Sequence, residues 1–225
     1  MENNLVMTET DISYIPSPNL MEIMRGRIEA PLNQTPTAFS FPIDRATGKF
    51  VLSHHIGEEA HRGISIPGGH VDPNETLVEA AIREVEEETG FILKSSPNPI
   101  GYQKTTSEAR MPKNYKYPFP VSYQQFYVGV SVRLGKVTAK ECGSPVILSP
   151  FHAILSLNKR RDRTMCYLAI LEAKLRQWTE ISEDDMYSIE VIWNMNDDRF
   201  AKISKELWAE EGIKSQADLL AFVHS

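Results

Sequence analysis

The stretch of this chain that most constrains its fold is TLVEAAIREVEEETGF, residues 76–91, because both ends of a helix are written into it and one face carries the wrong charges. Thr76 followed three residues later by Glu79 is a capping box, and Gly90 supplies a left-handed residue that closes a helix of about 13 residues. At about 100° per residue Leu77, Val78, Ala81, Ile82 and Val85 gather in one apolar sector, with Glu79 and Glu86 on the solvated side. Glu88 falls inside that apolar sector, Glu84 at its edge and Glu87 next to them. Three carboxylates at i, i+3 and i+4 repel one another, and Arg83, best placed for its i+4 neighbour Glu87, neutralises one charge only. A hard divalent cation with oxygen ligands would supply the missing positive charge; an exposed acidic face is the plain alternative.

The segments around this helix read as strands and turns. Residues 37–43 and 49–55 are apolar and β-prone and enclose Asp44-Arg45-Ala46-Thr47-Gly48, a hairpin with Gly48 in the turn. Ile64-Ser65-Ile66 is a short strand stopped by Pro67-Gly68-Gly69, and Pro73-Asn74 marks a turn before the helix. Residues 123–134 form a strong strand pattern and 188–193 (SIEVIW) another. Between them, about 135–185 reads as an insertion or an additional lobe with a helix near 165–178, preceded by Lys159-Arg160-Arg161-Asp162-Arg163, a solvated loop first and a phosphate or RNA contact second. Residues 199–211 and 216–223 read as helices split by Gly212, and residues 1–33, polar and broken by Pro16, Pro18 and Pro31, as an arm laid over the domain or left loose. The domain proper is then 34–225.

The linear pattern narrows the chemistry. Gly69, five residues, Glu75, seven residues, Arg83-Glu84, Val85, one residue, Glu87-Glu88, one residue, Gly90 and Phe91 resemble the motif of the Nudix hydrolases at every fixed position, a coincidence expected by chance below about one time in a million. The motif covers 23 of 225 residues (69 to 91 inclusive), and the order of flanking strands fits the family over about two-thirds of the chain. The resemblance implies an α/β (α+β) fold, a mixed β-sheet sandwiched between helices, and hydrolysis of a diphosphate linkage in a nucleoside diphosphate joined to another group. It further implies Glu84, Glu87 and Glu88 as ligands of magnesium or manganese, with the Gly68 carbonyl as a fourth. Arg83 then orients the cluster and Glu75 braces the loop to the helix. Asn74 stands where the family often has glycine, and tolerates a left-handed turn nearly as well. An extra carboxylate from beyond the motif is expected, with Glu190 the foremost candidate and Asp197, Asp198, Glu108 and Glu141 competing.

Substrate contacts are sought first in residues 101–127, dense in tyrosine and interleaved with cations. Tyr117, Phe119 and Tyr123 could stack a base and Arg110 meet phosphate, with an ordered packing loop equally open. Tyr117-Pro118-Phe119-Pro120-Val121-Ser122 resembles part of a motif in NADH-hydrolysing members, although the Ser-Gln-Pro before it and a four-cysteine zinc site are absent. His70, beside Gly69, is within reach of the phosphates, whereas His54, His55 and His61 read as surface or loop residues.

Composition excludes several classes. The net charge of −6 argues against a protein held mainly to a nucleic-acid backbone, and means that phosphate chemistry here would need metal ions. Cys142 and Cys166 are too few for a disulfide framework and read as small buried hydrophobes. With no apolar run of about 18 residues and a polar, acidic start, the reading is a cytoplasmic protein with no membrane segment. The expected function is therefore a magnesium-dependent pyrophosphohydrolase acting on a small-molecule nucleotide, of the nucleoside triphosphate, ADP-ribose or dinucleotide type. A nucleotide sensor without turnover and an RNA 5′-end pyrophosphohydrolase are the alternatives, and a homodimer is compatible with the sequence.

Overall fold

The computed structural model describes residues 13–14, 19–26, 34–107, 121–214, 218–219 and 221–222. The hairpin forms as the turn chemistry dictates: β3 (Thr37–Asp44) and β4 (Phe50–His54) are joined by a turn in which Gly48 has φ 68° and the Asp44 carboxylate accepts from Thr47 Oγ1 at 2.7 Å. Short strands β5 (Ile64–Ser65) and β6 (Gly68–His70) lead into α1 (Leu77–Thr89). Both capping-box bonds are made, and Gly90 ends the helix at φ 70°. Asn74 has φ 72°, the left-handed turn that its side chain tolerates.

After α1 come β7 (Phe91–Leu93), β8 (Asn98–Ser107) and β9 (Val121–Arg133). Strands β1 (Ser13–Tyr14) and β2 (Asn19–Arg25) precede the hairpin, so part of the expected arm is sheet: β2 pairs antiparallel with β8. The sheet runs β1-β2-β8-β9-β3-β4, continued by β10 (Val146–Leu148), with β3 and β9 parallel and the other pairs antiparallel. It is a mixed sheet, as expected.

Alternation along the strands separates two cores. Phe41, Phe50, Leu52, Phe126 and Val128 face one side, where α2 (Pro150–Leu155), α3 (Arg160–Leu175), α4 (Glu183–Trp193) and α5 (Asp197–Glu210) cover them. Ala38 and Tyr127 meet Ala80 and Ala81 of α1 on the other side, and Val51 meets Val85 there. The sheet is thus sandwiched between helices.

Three expectations are corrected. SIEVIW is not a strand but the end of α4: Met186, Ile189 and Ile192 are buried at helical spacing, and Ser182 caps the helix ahead of Glu183, Asp184 and Asp185. A short apolar run fits both periods, and here the cap and the acidic first turn decide. Without that strand, residues 135–185 are no excursion between two strands; they supply β10, α2 and α3, whose Ile154, Met165 and Leu168 lie in the main core. Nor is the basic run a solvated loop. It opens α3, and Arg163 is fully buried, donating to the carbonyls of Asn158 (2.7 Å) and Met195 (3.0 Å) and to Asp197 (2.9 Å), with its guanidinium 3.8 Å from the Phe200 ring centre. The helix expected at 216–223 falls largely outside the described residues. Among the described residues no helix is long and apolar enough to cross a membrane.

Candidate active site

The site is built where α1 leaves the turn after β6. Arg83 is its hub. Its Nε and Nη2 clasp the Glu75 carboxylate at 2.9 and 3.0 Å, Nη1 reaches Glu84 at 2.8 Å and Glu87 at 3.2 Å, and Nη2 also donates to the His70 carbonyl at 2.8 Å. The fork therefore ties helix to loop through a bidentate pair, and the i+4 partner Glu87 receives the weakest of these bonds. His70 contributes its main chain to this arrangement.

Glu88 points the other way, into the protein. It is 6% exposed and its Oε2 accepts from Ser53 Oγ of β4 at 2.5 Å and from the Gly68 amide at 3.4 Å. Glu84 lies against the glycines: a Cβ added at Gly69 would sit 2.3 Å from Glu84 Oε1, and one at Gly68 would sit 2.4 Å from the Phe39 ring and 2.5 Å from the Ala38 carbonyl. Close approach of the Phe39 ring and the Ala38 backbone requires glycine at Gly68, whereas a side chain at Gly69 would displace the end of Glu84.

The electrostatics follow from these contacts. Arg83 holds Glu75 below the usual carboxylate range through its hydrogen bonds. Burial raises Glu84 against the opposing pull of Arg83, and pushes Glu88 up to about 7 against the Ser53 bond, with the neighbouring Glu84 charge adding to the rise. Three glutamates share one clamped arginine, and a fourth, Glu88, is buried without it. Among the described residues no three His, Cys, Asp or Glu side chains converge as a ready metal cage; Arg83 occupies the space between Glu84 and Glu87. The donor set nonetheless fits a hard divalent cation in chemistry: all oxygen, excess negative charge, and a glycine backbone leaving room beside Glu84.

Of the other expected contacts, Tyr117, Phe119 and Arg110 lie outside the described residues. Tyr123 is on β9 with its ring 6.2 Å from Tyr102, on the opposite face of the strand from Gln124. Glu190, expected as the extra carboxylate, sits exposed on α4, where its charge acts on Tyr167. Asp197 is engaged with Arg163. Glu141 is better placed, since its charge acts on Cys142 together with those of Glu88 and Glu84. Both cysteines are buried thiols. His54 and His55 are buried rather than on the surface, and His55 Nε2 is 2.8 Å from Ser65 Oγ.

A cleft of about 480 Å³ opens on the α3 side of the sheet. Phe39, Arg62, Ser65, Gln124, Lys159 and Arg161 are among its walls. Phe39 joins it to the site, because its ring abuts Gly68, whose amide bonds Glu88, and the charge of Arg62 acts on Glu88 as well. One signal was available in advance for Ser53: a serine followed by two histidines in the otherwise apolar run 50–55. A second cavity of about 420 Å³ between α2 and α5 has Leu155, Trp208 and Ile213 in its walls and no carboxylate.

The profile of the NUDIX domain matches residues 34–140. This chain carries a NUDIX domain. The matched region runs from the start of β3 through α1 and β9, and so contains the whole carboxylate cluster. Over 53 residues the chain is 49% identical to a Bacillus subtilis protein provisionally named as the 8-oxo-dGTP diphosphatase YtkD, covering 24% of this chain and 31% of that one. Over 71 residues it is 35% identical to a Lactococcus lactis protein provisionally named as a DHNTP pyrophosphohydrolase, covering 32% and 39%. The chain thus spans about a third of the length of these two relatives. Among solved structures, a mutant of the B. subtilis pyrophosphohydrolase BsRppH is 24% identical with a TM-score of 0.47, covering 61% of this chain and 77% of that one. The NUDIX domain of Shewanella oneidensis NrtR, complexed with ADP ribose, is 12% identical with a TM-score of 0.46, covering 62% and 88%.

Proposed function

We propose that this NUDIX domain is a magnesium-dependent pyrophosphohydrolase that cleaves the diphosphate linkage of a small nucleotide lying in the cleft between Phe39 and the start of α3. The observation that carries this reading is the excess of partly and fully buried carboxylate on α1, joined through Phe39 to a cleft lined by cations. Glu84, Glu87 and Glu88, with the Gly68 carbonyl, would hold the metal, and Arg83, anchored on Glu75, keeps the helix and loop in register. A bound divalent cation supplies neutralisation of the phosphate oxygens and a water of lowered pKa. Arg62 and Lys159 add positive charge for the phosphates, and Phe39 gives a ring on which a base can lie. Glu141 is the extra carboxylate on this reading. The activities in the names of the two relatives, a diphosphatase and a pyrophosphohydrolase, are of this reaction type and support it.

The test is a panel of nucleoside triphosphates, oxidised nucleotides, ADP-ribose, NADH, dinucleoside polyphosphates and end-labelled RNA, with magnesium or manganese and product identification. Turnover of free nucleotides ahead of RNA is expected for an acidic protein. Glu87→Gln and Glu88→Gln should each lower kcat at least about 100-fold while cooperative unfolding persists; unchanged activity in both would falsify the site.

A further inference from the structure

We propose that Asp162 reads the base of the substrate and that Arg161 positions it, giving preference for a guanine-type edge, in which a ring N–H and an exocyclic amino group stand side by side next to a carbonyl. This rests on the reading above for where the nucleotide lies, and adds which nucleotide it is.

Asp162 and Arg161 open α3 and both line the cleft beside Phe39. Arg161 is clamped from several directions. Its Nη1 donates to Gln124 Oε1 at 2.9 Å and to Gln103 Oε1 at 3.4 Å, and its guanidinium lies 5.9 and 5.8 Å from the ring centres of Phe39 and Phe126. From this fixed seat its Nε donates to Asp162 Oδ1 at 2.5 Å. The Asp162 side chain is only 13% exposed. A carboxylate can accept about four hydrogen bonds; among the described residues Arg161 supplies the one donor bonded to this side chain. The remaining capacity belongs to a carboxylate in the wall of the cleft. Phe39, half-buried against Phe126 at 5.1 Å and 16°, is part of the cleft wall.

The chemistry of the edge selects the base. A carboxylate held in the plane of a base is best matched by two adjacent donors, which guanine provides as N1–H and its 2-amino group. Adenine and cytosine place one amino donor beside a bare ring nitrogen whose lone pair would face the carboxylate. Uracil flanks its single N–H with two carbonyls. The amides of Gln124 and Asn158, also in the cleft wall, can donate to the guanine carbonyl, which leaves Arg62 and Lys159 for phosphate. A shielded acceptor left unpaired by the wrong base is penalised more than a good pair is rewarded, so the preference should be sharp.

The experiment measures equilibrium binding of GDP, IDP and ADP without metal, and kcat/KM for GTP, ITP and ATP with magnesium, on the wild type, Asp162→Asn and Arg161→Met, with the melting temperature of each. GDP should bind roughly 10- to 100-fold tighter than IDP or ADP, with the same order in kcat/KM. Asp162→Asn should draw the GTP/ITP and GTP/ATP ratios toward one. Arg161→Met should erode the same ratios through KM rather than kcat. Equal binding of the three diphosphates by the wild type overturns the proposal whatever the activity. So do ratios that survive in Asp162→Asn, or a loss equal for every base accompanied by a lower melting temperature. A protein that binds GDP in the expected order but hydrolyses none of the triphosphates refutes the hydrolase reading and leaves the base reading standing.

Discussion

Glu88→Gln separates catalytic from structural cost at a single atom. In the folded protein Glu88 is pushed up to about 7 from an ordinary 4.5, first by burial and against the hydrogen bond from Ser53. Between those two pH values the native state holds a proton that the unfolded chain has released, so stability falls as pH rises through the window. The gap corresponds to about 3 kcal/mol lost by pH 8. Glutamine keeps an oxygen that can accept from Ser53 Oγ and the Gly68 amide but carries no charge. In a chelator at pH 8 the Glu88→Gln protein should therefore be about 3 kcal/mol more stable than the wild type, or roughly 6–12 °C higher in melting temperature for a chain of this size. At pH 4 to 5 the difference should shrink toward zero. Added magnesium should raise the wild type by mass action and the variant much less. Thermal unfolding followed by circular dichroism from pH 4 to 8.5, with chelator or magnesium, reads all of this. A variant no more stable than wild type at pH 8 without metal, or a gap that does not change with pH, would refute the claim that an ionised, buried Glu88 strains the metal-free fold.

The two glycines of the turn should behave differently. Alanine at Gly68 meets Phe39 and the Ala38 backbone, so Gly68→Ala should lower stability by about 1–3 kcal/mol in denaturant titration. Alanine at Gly69 meets only the end of the Glu84 side chain, so Gly69→Ala should keep most of its stability but lose kcat as Glu84 is displaced. Arg163→Ala removes a fully buried cation from three carbonyls and Asp197 and should cost about 3–5 kcal/mol, with any remaining folded protein retaining its KM. Tyr117→Ala and Phe119→Ala should raise KM or alter preference across the panel if those rings stack the base, at about 1–3 kcal/mol per base. An equal loss on every substrate with a lower melting temperature would identify them as packing residues.

The sequence by itself determined the parts whose causes are contiguous. The span of α1, its capping box, its left-handed stop at Gly90 and the burial of Glu88 all follow from residues 76–91, because caps and a 3.6-residue period act within a few turns of chain. The β3–β4 hairpin was equally legible, since Asp44 to Gly48 carries its own turn chemistry. Where a short run fits two periods, local pattern stopped deciding: SIEVIW alternates like a strand, yet Met186, Ile189 and Ile192 bury one helical face. Tertiary structure alone decided which charges meet. Arg83 prefers Glu75, eight residues away, to its i+4 neighbour because the loop folds back onto the helix. Ser53 reaches Glu88 across 35 positions. Arg163 becomes a core residue because α3 starts beneath α5, while Arg161 and Asp162 reach the cleft because α3 lies across β8 and β9. Partners brought together by sheet order leave no spacing in the chain, and that is why the cleft was not foreseen.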